Sequence, residues 1–114
     1  MNASISPSTA WLILLAAGLL EIVWSVSMKA SEGFTRASLT IVTFVAAWCS
    51  FILLGIAMKS LPVGNAYAVW TGVGAVGAAI LGIAIFHEPA TLARIGCIGL
   101  IVGGIVGLRL TADH

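Results

Sequence analysis

Apolar positions along the chain gather into four long runs, residues 10–28, 39–58, 66–86 and 95–108, each nearly free of polar interruption. A bilayer core of about 30 Å needs about 20 apolar residues at about 1.5 Å each, so the first three runs suffice to cross it. The fourth is short unless Thr91, Leu92 and the aliphatic stem of Arg94 extend it by snorkelling. The runs do not alternate in hydropathy as barrel strands would. The connections between them carry the punctuation. Ser31-Glu32-Gly33 closes the first helix, with Gly33 suited to the position just past its end. Leu61-Pro62-Val63-Gly64 separates the second from the third, His87-Glu88-Pro89 ends the third, and Thr91 caps the fourth. The pattern predicts an all-α integral membrane protein, a single domain over residues 1–114 with four short transmembrane helices near 10–30, 36–58, 65–86 and 91–110.

Composition agrees. Of 114 residues 61% are hydrophobic and 8% charged, with a mean hydropathy of +1.16, whereas a soluble domain carries about 25% charged residues. Five basic residues scattered along the chain form no patch for nucleic acid. The first run does not read as a cleaved signal peptide, because residues 1–9 hold no Lys or Arg and a glutamate interrupts the apolar stretch. Cys49 and Cys97 have no ligand-like neighbours and read as small packing residues, with no metal or other cofactor implied. No nucleophile–base pair points to an enzyme.

The charges single out one position. Lys29, Glu32, Arg36, Lys59, Glu88, Arg94, Arg109 and Asp113 all sit at helix ends, in loops or near the C-terminus; Glu21 alone lies inside a span. An ionisable residue at a span centre costs on the order of 3 kcal/mol to insert, which marks it as functional. The plainer alternative is a protonated glutamate that hydrogen-bonds a neighbouring helix for assembly alone.

Lys and Arg also bear on orientation. Four spans put Lys59 and Arg109 on one side, and Lys29, Arg36 and Arg94 on the other, so two face three. That is hardly a bias, and it predicts insertion both ways up. Two copies would then pair antiparallel, with the inverted symmetry that larger transporters encode in one chain. A dimer is expected on other grounds too, since four helices barely wall off a polar path. Gly96, Gly99, Gly103 and Gly107 form one stripe on the fourth helix, with two Gly-x-x-x-Gly intervals that permit close backbone approach in lipid. The stripe is read as the dimer seam, the alternative being a helix of the same chain.

In the third run, Gly72-Val73-Gly74-Ala75-Val76-Gly77 matches the dinucleotide fingerprint in letters alone. It lies within an apolar helix, with no strand before it and no acidic residue at the required distance. Gly72 and Gly74 are read instead as the place where the helix bends. Around Glu21, helical spacing gathers Leu14, Gly18, Trp24, Ser25 and Met28 on one face. Gly18 leaves room one turn away, and Trp24 brings an N–H and a flat aromatic face. Ser50 and Trp48 are the notable residues of the second helix, and Tyr67, Trp70, Thr71 and Gly74 line one face of the third. An interfacial aromatic belt accounts for Trp11 and serves for Trp48, but not for the deeper Trp24 and Trp70.

With these residues assembled, "AWLILLAAGLLEIVWSVSMK", "SEGFTR", "LPVGNAYAVWTGVGAVGA" and "FHEPATLARI" closely resemble the small multidrug resistance transporters, over roughly residues 10–110. The resemblance implies an antiparallel homodimer of dual topology, multi-pass in a bacterial inner membrane, that exchanges protons for cations. The family's membrane glutamate falls on Glu21, and its third-helix Tyr and Trp on Tyr67 and Trp70. Drug-exporting members usually carry glycine three residues after the glutamate; "EIVW" is similar to the guanidinium exporters instead. In that branch the tryptophan and a second-helix serine, here Trp24 and Ser50, hydrogen-bond the glutamate. Asn65 where Thr is commoner, His87 in the third loop and the extension over residues 1–9 depart from the usual pattern.

Physical chemistry fits the branch. Guanidinium is small and planar, a carboxylate holds two of its N–H groups side by side, and an indole offers cation–π contact to its face. The expected function is proton-coupled export of guanidinium or small guanidinyl cations, with two protons exchanged per cation through paired Glu21 carboxylates, as the resemblance implies. The alternatives are export of quaternary-ammonium or polyaromatic cations, and a membrane assembly protein that transports nothing.

Overall fold

A computed structural model describes residues 5–111; Asp113, among the charges considered above, lies outside the described residues. Ser6 and Pro7 open the first helix. The Ser6 hydroxyl accepts the Thr9 backbone N–H at 3.2 Å, and Pro7 occupies the first turn, where a missing N–H costs nothing. The helix α1 therefore spans Pro7–Ala30, beginning three residues before the apolar run does. It is followed by α2 (Ala37–Ala57), α3 (Val63–Phe86) and α4 (Leu92–Thr111). All four are long and apolar enough to cross a membrane.

The connections are tight. After α1 the backbone turns through Glu32, Gly33 and Phe34, all with positive φ (53°, 73° and 67°). Buried Ser31 organises this turn: its hydroxyl donates to the Met28 carbonyl at 2.7 Å and accepts the Phe34 N–H at 3.0 Å. His87, left-handed at φ 57°, closes α3. The Thr91 hydroxyl accepts the Arg94 N–H at 3.1 Å and caps α4.

The helix α1 is central, packed against both α2 and α3, which touch each other little; α4 lies outside, on α3. The core is a seam in which alanines alternate with larger apolar side chains: Ala10, Trp11, Leu14 and Ala17 of α1, Leu54 and Ala57 of α2, Leu61 just after it, and Ala66, Val69 and Trp70 of α3. Small residues let helix backbones approach closely, which is how helices associate where lipid removes the hydrophobic drive. Large apolar residues such as Leu12, Ile41, Phe44, Leu92 and Leu100 instead face outward. Outward apolar surface of this extent suits lipid, and the protein is a multi-pass membrane protein.

The helix α3 runs continuously past Gly72 and Gly74. Two expectations are corrected. Trp11 is buried in the core rather than set in an interfacial belt, with the Arg109 guanidinium 5.1 Å from its ring centroid. Cys49 and Cys97 are exposed on the outer faces of α2 and α4 and pack against little within the chain.

Candidate functional site

The site begins with three interlocking contacts between α1 and α3, each a side chain set over a glycine. A Cβ built at Gly18 would come within 2.8 Å of the Val73 Cβ. One turn on, a Cβ at Gly74 would overlap the Glu21 carboxyl, and one at Gly77 would overlap Ile22. Glu21 therefore lies along α3 in the space left by the missing side chain of Gly74. The space beside Gly18, one turn from the glutamate, is filled by Val73. Gly72 faces the other way: a Cβ there would meet Ile105 of α4 at 2.9 Å. These glycines provide close approach, and two residues apart on one helix they serve two different neighbours.

Glu21 is half-buried; its Oε1 is buried and has no hydrogen-bond partner among the described residues. Trp24 Nε1, on the same helix face, is likewise buried and unpaired. One strong acceptor and one donor, three residues apart on α1, are thus left open. A buried polar atom without a partner costs about 1–3 kcal/mol, and more when charged, so two of them together mark a place built for something else.

Ser50 is fully buried at the α1–α2–α3 junction, where it does not bond Glu21. Its hydroxyl donates to the Ala17 carbonyl at 2.7 Å and accepts Trp70 Nε1–H at 2.9 Å. A hydroxyl has a single proton, and here Ala17 takes it, so none is left for the carboxylate. The hydrogen bonds expected from Trp24 and Ser50 to Glu21 are therefore absent in this arrangement. What Ser50 does is tie α2 to α1 one turn before Glu21 and lock the Trp70 indole on α3.

Aromatic rings continue from there. Phe51, which sequence reasoning passed over, meets Trp24 (6.4 Å between centroids), Trp48 (6.5 Å) and Trp70 (6.0 Å), each roughly edge to face. The available signal was its place beside Ser50, inside an apolar span that offers few other aromatics. Tyr67 leans on Trp70 at 5.6 Å and is half exposed. A cavity of about 320 Å³ between α1 and α2 is lined by Trp24, Phe51, Trp48 and Phe44 among others. Glu21, Trp24, Ser50, Tyr67, Trp70 and Gly18 thus fall in one neighbourhood. Gly96, Gly99 and Gly103 lie outside it, with nothing within 4 Å of the Cβ position at any of them. The stripe meets no helix of its own chain among the described residues.

Fold and site together define a class: a four-helix membrane protein with one carboxylate in the interior of a span and a cluster of aromatics on the same three helices. The chain belongs to the small multidrug resistance family, whose model, described as "Small Multidrug Resistance protein", matches residues 9–101. It is 57% identical over 103 residues to the guanidinium exporter of Yersinia pseudotuberculosis, covering 90% of this chain and 99% of that protein. It is 56% identical over 102 residues to the guanidinium exporter of Salmonella typhimurium (90% and 97% covered). Against the guanidinium exporter of Citrobacter freundii it is 54% identical over 101 residues (89% and 96% covered).

Proposed function

We propose that this protein is a transporter, not an enzyme, that exports guanidinium or small guanidinyl cations in exchange for protons across a bacterial inner membrane. The observation that carries the reading is Glu21: a carboxylate inside a span, seated over Gly74, with a buried oxygen that nothing among the described residues satisfies. Guanidinium meets that need. Two of its N–H groups bond the carboxylate side by side, and its flat face lies against the Trp24 indole. Three relatives named as guanidinium exporters, each at least 54% identical, support the choice of cation.

Each residue then has a role. Glu21 carries the cation or a proton, never both. Trp24 fills the space beside it, which favours a small ion over a bulky drug, and offers the carboxylate a free N–H donor. The Ser50–Trp70 bond holds one aromatic wall of the site rigid, with Tyr67 set against it.

The working unit is an antiparallel homodimer of dual topology. Near-balanced Lys and Arg, two against three, support insertion both ways up. The open glycine stripe of α4 supplies the seam, through Gly99-x-x-x-Gly103 and Gly103-x-x-x-Gly107. Two Glu21 carboxylates then share one central site, and two protons leave as one cation enters. If the dimer reverses its opening only when loaded with one or the other, an inward proton gradient drives cation export.

Flux from the purified chain in liposomes tests the reading. Guanidinium movement driven by an imposed proton gradient, with two protons per cation, is the expected result. Gradient-driven movement of quaternary ammonium ions in preference to guanidinium would instead make it a drug exporter. No flux of either would leave only an assembly role.

A further inference from the structure

The corner between α3 and α4 is built around a charge pair that the transport reading does not use. Arg94 Nη2 donates to Glu88 Oε1 at 2.6 Å, with both side chains about two-thirds buried. The Glu88 backbone N–H donates to the Gly82 carbonyl at 3.2 Å, and a Cβ at Gly82 would overlap the Glu88 carboxyl. Glu88 is thus folded back onto the last turns of α3, in a space that only glycine leaves, and from there grips the first turn of α4. His87, at φ 57°, makes the reversal that allows this.

The helix α4 depends on this corner more than the other helices depend on theirs. None of its residues is buried, and it packs on α3 alone, reaching α1 through Arg109 over Trp11. Twenty residues make a lever of about 30 Å, so a 10° change at the corner moves the far end by about 5 Å. That is more than a close glycine–glycine contact tolerates.

We infer that Glu88 is a positioning residue: clamped between Gly82 and Arg94, it sets the angle of α4 and so presents the glycine stripe for pairing with a second copy. The inference rests on the dimer reading above and adds the element that makes the seam available.

The test is the dimer dissociation constant of the full chain in detergent micelles, where insertion bias plays no part, measured by sedimentation equilibrium. Glu88→Gln removes the charge and weakens pairing about fivefold, as a partly exposed ion pair allows. Gly82→Ala, which pushes the carboxyl off α3, weakens it in the same direction. The reversed pair, E88R with R94E, restores pairing towards the parent. It suits both helix ends, with a cation at the close of α3 and an acidic side chain three residues after the Thr91 cap of α4. An unchanged constant for either single variant overturns the inference, as does a reversed pair no tighter than E88Q. A parent chain that stays monomeric overturns the dimer reading itself.

Discussion

Replacing Gly74 by alanine adds a single methyl group where the Glu21 carboxyl now lies. The new Cβ would sit 2.7 Å from Glu21 Cγ, with the carboxyl atoms nearer still, whereas carbon atoms rest at about 3.5–4.0 Å. The glutamate must move by about 1 Å, or α1 and α3 must separate at the cost of the Gly18–Val73 and Ile22–Gly77 contacts. Helix α3 itself gains, since alanine is about 1 kcal/mol better than glycine in a helix interior. Loss of function therefore cannot be laid to a broken helix. A displaced carboxylate loses the side-by-side geometry of a charge-assisted bond, worth roughly 1.5–3 kcal/mol. Apparent guanidinium affinity should fall by a factor of about 10 to 150. The assay is concentration-dependent flux in liposomes, with dimer integrity checked beforehand. Two companions isolate the cause. Gly55→Ala, with nothing within 4 Å, should behave as the parent, and Gly72→Ala, which meets Ile105, should weaken pairing through α4 while sparing the cation affinity of the dimers that form. If Gly74→Ala transports guanidinium with the parent's affinity, or if Gly72→Ala lowers it equally, Gly74 is not the seat of the carboxylate.

Glu21→Gln keeps the shape but neither ionises nor pairs with a cation, so a folded dimer without gradient-driven uptake is expected; appreciable coupled uptake would remove Glu21 from its carrier role. Ser50→Ala strands the Trp70 N–H in the core, which should lower unfolding stability in micelles by about 1–3 kcal/mol. An unchanged denaturation midpoint would show that Trp70 finds another acceptor. Trp24→Gly opens space beside Glu21 and removes an aromatic face, so guanidinium flux should fall while larger hydrophobic cations lose less or gain. An intact mutant with the parent's selectivity would take that role from Trp24. Four lysines added after Thr111 shift the Lys/Arg count from two against three to six against three, a clear bias. Every copy should then insert one way, and activity should return only on co-expression with an oppositely biased copy. Full activity of the biased copy alone, its orientation verified, would rule out obligate antiparallel pairing.

The spans were legible along the chain because crossing lipid is a requirement on length and hydropathy, and both are properties of a single stretch. Glu21 was legible for the same reason: one carboxylate among apolar residues stands out whatever surrounds it. The near balance of Lys59 and Arg109 against Lys29, Arg36 and Arg94 needed no structure either. Which atoms meet was another matter. A helix bathed in lipid is apolar all round, so no polar face betrays which side turns inward, and rotation about its axis leaves no trace in the pattern. Tertiary structure alone therefore decided that Ser50 gives its proton to Ala17 and holds Trp70, leaving Glu21 unpaired. It also decided that Gly74 receives the carboxyl while Gly72 receives Ile105, that Trp11 lies under Arg109 in the core, and that Phe51 joins three tryptophans. Each of these depends on the rotation and crossing of two helices at once, and packing between them sets that geometry.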